Sequence, residues 1–309
     1  MTLEYRQFGQ TGLRVSSIGL GCVTFGREID ATTSFDVLDR AVERGVNLFD
    51  TAAIYGGGAS EEVIGRWLRK RTRVAPIVVA TKVSGRLTGE DILRSVDGSL
   101  RRMGIERIDL LQAHSWDPET PLEQTMQTFD RLVQEGKVRC CGCSNWSASQ
   151  LGRAISLADR QKWQRLESVQ VAYNLTAREL EANLLPLCAR QGIGVLAYSP
   201  LGAGFLTGKY RRGEGVPMGT RFDVQPGHQD IYFTDANFRI VEGLRRIAAR
   251  AGCSMAHLAL SWVLHRPGIT TVLIGARNTE QVDQAFDALR RPHDSIMNEL
   301  DELSRSDKC

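Results

Sequence analysis

Val46-Asn47-Leu48-Phe49-Asp50-Thr51-Ala52-Ala53-Ile54-Tyr55-Gly56 is the stretch on which the reading of this chain turns. Its first five residues have the composition of a short buried strand, and the run ends on an acid. An Asp there is ordinarily a turn or helix-cap residue, so Asp50 and the later Tyr55 gain meaning only from what flanks them. Just upstream, Thr33 to Arg44 carries a helical pattern closed by Gly45, a stop signal.

Further along, the same unit repeats. Short apolar runs occur at Ser17–Gly21, Val46–Asp50, Ile77–Lys82, Ile108–His114, Val138–Cys143, Ser168–Tyr173, Gly194–Tyr198 and Thr271–Gly275. Helical patterns lie between most of them, as in Gly89 to Met103 before Gly104. Strands alternating with helices build parallel βαβ units, and eight such runs fit a closed (β/α)8 TIM barrel better than an open doubly wound sheet. A chain of 309 residues accommodates that barrel as one domain, 1–309, with room for insertions.

Three additions are expected on the barrel. Tyr5 to Phe8 and Leu13 to Ser16 flank the turn Gly9-Gln10-Thr11-Gly12 and predict an N-terminal hairpin. Ser199 to Asp235, after the seventh run, is far longer than an ordinary βα connection. It carries Leu201, Phe205, Leu206, Tyr210 and Phe222, enough apolar side chain to fold back as a lid. Helical patterns follow at Ala236–Arg250 and Ser254–His265, then Glu280–Leu289 closes the barrel and Ser295–Ser304 forms an extra C-terminal helix.

Composition narrows the partners. The net charge of +3, from 39 basic and 36 acidic residues, offers no field for nucleic acid or an anionic membrane surface. No apolar run approaches the roughly 18 residues of a membrane span, and no secretory pattern opens the chain, so a cytoplasmic protein is expected. Seven scattered cysteines suit a reduced compartment. Cys140, Cys141 and Cys143 lie too close together in a buried strand for a zinc site and read as small core residues.

Active sites of such barrels form where the strands end. The second run ends in Asp50, the third in Thr81-Lys82, the fourth in His114 and the fifth in Ser144-Asn145; the sixth offers Gln170 and the seventh ends in Tyr198-Ser199. The remaining histidines, His228, His257, His265 and His293, lack matching partners and read as structural. No metal constellation, Gly-x-Ser-x-Gly elbow or Rossmann glycine fingerprint is present in the sequence. A phenol beside an ammonium should have a lowered pKa, with a carboxylate holding the ammonium and an imidazole orienting a carbonyl oxygen. That set suits carbonyl reduction by delivered hydride.

At this point the residues resemble the aldo-keto reductase superfamily over nearly the whole chain. The segments that carry the resemblance are Asn47 to Gly56, Thr81-Lys82, Leu110 to Pro118, Lys137-Val138-Arg139 with Gly142 to Trp146, Ser199-Pro200-Leu201 with Leu206 to Tyr210, and Gly275 to Gln281. The resemblance implies a catalytic tetrad of Asp50, Tyr55, Lys82 and His114, with Tyr55 as general acid. It implies NADPH (NADP) as cofactor. Ser144, Asn145 and Gln170 would hold the carboxamide and Tyr198 would stack on the ring, while Ser199, Pro200, Leu201, Gly204, Lys209 and Arg221 would wrap the pyrophosphate and ribose. Gly275, Arg277, Gln281 and Gln284 would serve the adenosine end, where Arg277 favours NADPH because a guanidinium grips a phosphate bidentately. Ala285 stands where members of the family often have Asn, which puts adenine affinity in question.

Phe25, Trp116 and Trp146, with Val23 and Thr24, would line a pocket for a small carbonyl substrate: an aldehyde, a ketone or an open-chain sugar. The pattern lies closer to a bacterial branch that resembles potassium-channel β subunits, which leaves an NADPH-binding interaction protein as the alternative to an enzyme.

Overall fold

The computed structural model describes residues 3–70 and 76–305. Among the described residues there are ten strands: β1 (Tyr5–Phe8), β2 (Leu13–Ser16), β3 (Ile18–Gly21), β4 (Leu48–Asp50), β5 (Val78–Val83), β6 (Ile108–Ala113), β7 (Val138–Ser144), β8 (Leu166–Ala172), β9 (Gly194–Tyr198) and β10 (Thr271–Gly275). β1 and β2 form an antiparallel hairpin with Tyr5 opposite Ser16. The other eight close into a parallel barrel in the order β10-β3-β4-β5-β6-β7-β8-β9. This is the (β/α)8 barrel expected from the repeated strand–helix units.

Two apolar cores follow from the alternation of side chains along each strand. Phe49, Val79, Leu111, Cys141, Cys143, Val169 and Val195 face outward and pack under the helical ring. Leu48, Val78, Ala80, Leu110, Cys140, Leu196 and Leu273 face inward and meet Phe8, Leu13 and Val15 of the hairpin. The hairpin therefore plugs the N-terminal end of the barrel, and the C-terminal end is the mouth. Counting onward by twos from the inward set, and from the buried Ser168 on β8, reaches Asp50, Lys82, Gln112, Ser144, Gln170 and Tyr198. One parity rule thus delivers six polar side chains to the same layer.

Caps set the helix limits. The helix Ala31–Glu43 begins two residues before the expected start because the Asp30 carboxylate accepts the Thr33 amide at 2.8 Å. Gly89–Met103 starts behind Thr88, which accepts from Asp91, and ends on Gly104 at φ 65°. The final helix is Asp294–Arg305. Arg178 and Arg266 hold it to the barrel through Asp301, with both guanidiniums within 4.9 Å of the Trp262 ring centre.

The long connection after β9 does fold back. Phe205, Tyr210 and Phe222 are buried together with Tyr232, and their rings lie 4.5 to 6.5 Å apart. Phe238, from the helix Asp235–Ala251, closes this cluster at 5.2 Å from Phe205. The segment is thus a shelf with its own small core. Among the described residues no single helix is long and apolar enough to cross a membrane. The apolar helix Met255–Leu264 is instead buried over most of its length.

Candidate active site

The layer at the mouth is built around one ammonium. Lys82 ends the inward row of β5 with an almost fully buried side chain. Its Nζ donates to Asp50 Oδ2 at 2.6 Å, to the Thr51 carbonyl at 2.8 Å and to the Tyr55 hydroxyl at 3.4 Å. Three N–H bonds meet three acceptors, so the cation is satisfied without water. Burial pulls its pKa down, but Asp50 and then Tyr55 outweigh burial and the net direction is upward.

Asp50 is held on its other oxygen too. Gln170 Nε2 donates to Oδ1 at 2.7 Å and Gln112 Nε2 at 3.3 Å. Both carboxamides are buried. Gln112 was not among the expected site residues, although it shares the inward parity of Leu110 and lies two residues before His114. Counting by twos along β6 would have found it.

Tyr55 stands on the tight turn Tyr55–Gly58 after β4, where Gly56 and Gly57 take φ of 58° and 64°. That left-handed backbone, easy for glycine, reverses the chain at once and leaves the phenol over the mouth. Its pKa differs from the sequence expectation. Burial raises it more than the Lys82 charge lowers it, so the net value lies above the usual 10. The phenol is a loaded acid at neutral pH, and the ammonium offsets part of the cost of leaving phenolate behind.

His114 follows β6, and its ring meets Tyr55 edge-on at 5.8 Å. Burial first, then the Lys82 charge, lowers its pKa to about 4. The imidazole is therefore neutral at physiological pH. Its Nδ1 lies 2.8 Å from Ser84 Oγ.

The other expected residues form two groups. Ser144 Oγ donates to the Gln170 carbonyl at 3.0 Å, and Asn145 Nδ2 reaches the His114 carbonyl at 3.2 Å. Tyr198 Oη donates to Asn145 Oδ1 at 2.9 Å. Asn145 is thus engaged by protein on both ends. Because Gln170 uses its amide nitrogen on Asp50, its Oε1 is the atom left for a ligand; among the described residues no protein group donates to it.

The second group lies around the shelf. Ser199, at φ 50°, Pro200 and Leu201 lead into the turn that contains Gly204. A side chain on Gly204 would place its Cβ 3.0 Å from Lys209 Nζ. Lys209, exposed but shielded on one flank, is held below the usual ammonium range by that partial burial and by the Arg277 charge. Arg277 donates to the Gly219 carbonyl at 3.1 Å, beyond the exposed Gly275, and its backbone N–H donates to Gln281 Oε1 at 2.9 Å. Arg221 pairs with Glu28 at 2.7 Å, a partner that sequence spacing does not reveal. Gln284 donates to Glu280 at 3.0 Å on an exposed helix face.

Of the expected pocket residues, Trp116 and Trp146 meet edge-on at 4.8 Å. Phe25 and Trp146 are both buried in the core beneath the rim, and Trp116, partly exposed, packs against it. Cys22 is also buried near Asp50, and its thiol is pushed up, by burial first. Burial likewise raises Cys140, Cys141 and Cys143.

A parallel eight-stranded barrel with a buried carboxylate–ammonium–phenol relay at its C-terminal mouth defines the class of this protein. Residues 17–305 match the family model described as Aldo/keto reductase family. A probable voltage-gated potassium channel subunit beta of Oryza sativa subsp. japonica is 33% identical over 301 residues, covering 93% of this chain and 91% of that protein. Its Arabidopsis thaliana counterpart is 32% identical with the same coverage. The uncharacterized oxidoreductase YrpG of Bacillus subtilis (strain 168) is 33% identical over 306 residues, again 93% and 91% of the two chains. The chain belongs to the aldo/keto reductase family and is an oxidoreductase by class.

Proposed function

We propose that the protein is an NADPH-dependent reductase of aldehydes or ketones, sugar-like carbonyls among them, with Tyr55 as general acid. The observation that carries this reading is Lys82, whose three bonds tie Asp50, the Thr51 carbonyl and the Tyr55 hydroxyl into one unit. A nicotinamide cofactor would supply hydride. Lys209 and Arg277 suit its phosphates: the two cations sense each other's charge, and neither has a carboxylate partner among the described residues. Gln170 Oε1 would accept from its carboxamide.

The residues then divide the work. The Tyr55 hydroxyl gives its proton to the alkoxide oxygen as negative charge develops there. Lys82 stabilises the phenolate that remains, and Asp50 keeps Lys82 charged and in place. His114 donates from Nε2 to the same oxygen and orients it. Trp116, backed by the buried Trp146, supplies an aromatic wall. Six free cysteines among the described residues fit a reducing, cytoplasmic setting.

NADPH absorbance followed with a panel of aldehydes, ketones and open-chain sugars, beside the same panel with NADH, tests the reading. Sustained NADPH consumption is expected, and no consumption with any carbonyl would overturn it. A second reading, a cofactor-binding regulatory subunit, is favoured by the two channel-subunit relatives. It would give a single stoichiometric turnover in place of steady consumption.

A further inference from the structure

We propose that Ser84 is a positioning residue: by donating its hydroxyl to His114 Nδ1, it fixes the imidazole as the Nε2–H tautomer and aims that N–H at the substrate oxygen. The inference rests on the proposed carbonyl reduction for its purpose, but not for its geometry. Ser84 directly follows β5, with Lys82 two residues before it, and its Oγ lies 2.8 Å from Nδ1. The backbone on both sides is fixed, since the His114 N–H donates to the Val83 carbonyl at 2.8 Å and its carbonyl accepts from Asn145. Nε2 has no protein partner among the described residues.

A neutral imidazole carries one proton, and the bond made at one nitrogen decides which nitrogen holds it. Burial and the Lys82 charge keep His114 neutral, so the tautomer matters. Carbonyl and carboxylate partners force a proton onto Nδ1 because they only accept. Among the described residues no such group reaches Nδ1 of His114, whereas a hydroxyl can donate to it. His265 gives the contrast within the same molecule. Its Nδ1 lies 2.8 Å from the Ser261 carbonyl, which only accepts and so calls for Nδ1–H there, while the Ser261 hydroxyl at 3.2 Å can take either role. If His114 were Nδ1–H instead, Nε2 would be an acceptor and would repel a carbonyl oxygen.

Nitrogen-15 NMR of the imidazoles in the whole protein, with His114→Gln to assign the signal, reads the tautomer without any turnover. The wild type should show His114 as Nε2–H and His265 as Nδ1–H. Ser84→Ala should give a mixture at His114 alone and lower kcat/KM by roughly 3- to 10-fold, the worth of one hydrogen bond. NADPH Kd and Tm should stay unchanged, and Ser84→Thr should restore both the tautomer and the rate. Nδ1–H in the wild type, or an unchanged Nε2–H signal in Ser84→Ala, would overturn the assignment. If the tautomer depends on Ser84 while no carbonyl is reduced, the positioning stands and the proposed reaction fails.

Discussion

The two sides of the barrel mouth are organised differently. On the side of β4, β5 and β6, Asp50 and Lys82 are buried and bonded almost wholly by protein, through Thr51, Gln112 and Gln170. On the side of the shelf and β10, Lys209 feels the Arg277 charge, the Arg277 guanidinium reaches a backbone carbonyl and no carboxylate among the described residues, and Met218 nearby in sequence is 92% exposed. The first arrangement is complete before anything binds, as charge stabilisation without reorganisation requires. On the proposed reading, the second would become complete when an anion arrives. Proton transfer and cofactor binding should therefore fail separately under substitution.

The largest separation is expected at Tyr55. Tyr55→Phe should reduce turnover by roughly 10²- to 10⁴-fold, the usual worth of a general acid, while NADPH titrated by fluorescence binds as before. With Tyr55 as the proposed acid, the wild-type rate should decline only as pH rises through the raised value above 10. That alkaline limb should vanish in Tyr55→Phe. Weakened NADPH binding in this variant would mean that the two sides are not separate.

Lys82→Met attacks the completeness of the first side. It leaves Asp50 buried without its counter-charge, and about 3–5 kcal/mol of stability should be lost near neutral pH. The double variant Lys82→Met/Asp50→Asn should recover much of that loss, because no buried charge is then left unpaired. Urea melts of the two variants would read it, and an equal deficit in both would contradict the charge argument.

The same contrast explains what the sequence made legible. Strand parity and strand-end position are local properties, so Asp50, Lys82, His114 and the barrel could be read from periodicity. The Lys82 partners are likewise near in the strand order. What stayed hidden depends on side-chain direction across the mouth. Nothing in the spacing says that Gln170 turns its amide nitrogen to Asp50, that Arg221 meets Glu28, or that Ser84 reaches Nδ1 of His114. The pKa of Tyr55 went the other way from expectation because a sequence shows the neighbouring charge but not the burial that outweighs it. Phe25 and Trp146 are both buried for a related reason: an aromatic at a strand-end loop faces core or pocket according to packing.

On the second side, Arg277→Leu should weaken NADPH binding roughly 10- to 100-fold, the range for a lost charge-assisted bond. NADH, which lacks the 2'-phosphate, should be affected much less. Equal losses with the two cofactors would place Arg277 elsewhere than at that phosphate.

The smallest effect is expected at Gln284, on the same side and one helical turn beyond Glu280. Its Nε2 donates to that carboxylate at 3.0 Å, an exposed i,i+4 pair worth a few tenths of a kcal/mol. Ala285, the position that put adenine affinity in question, is 3% exposed and packs with Val282 and Phe286 in the core. A larger polar residue there would point inward as well, so its absence removes no contact from the mouth. Gln284→Ala should accordingly change NADPH Kd by less than about threefold, as surface substitutions usually do. A tenfold loss would mean that Gln284 leaves Glu280 for the adenine, and that the second side rearranges its neutral groups as well as its charges.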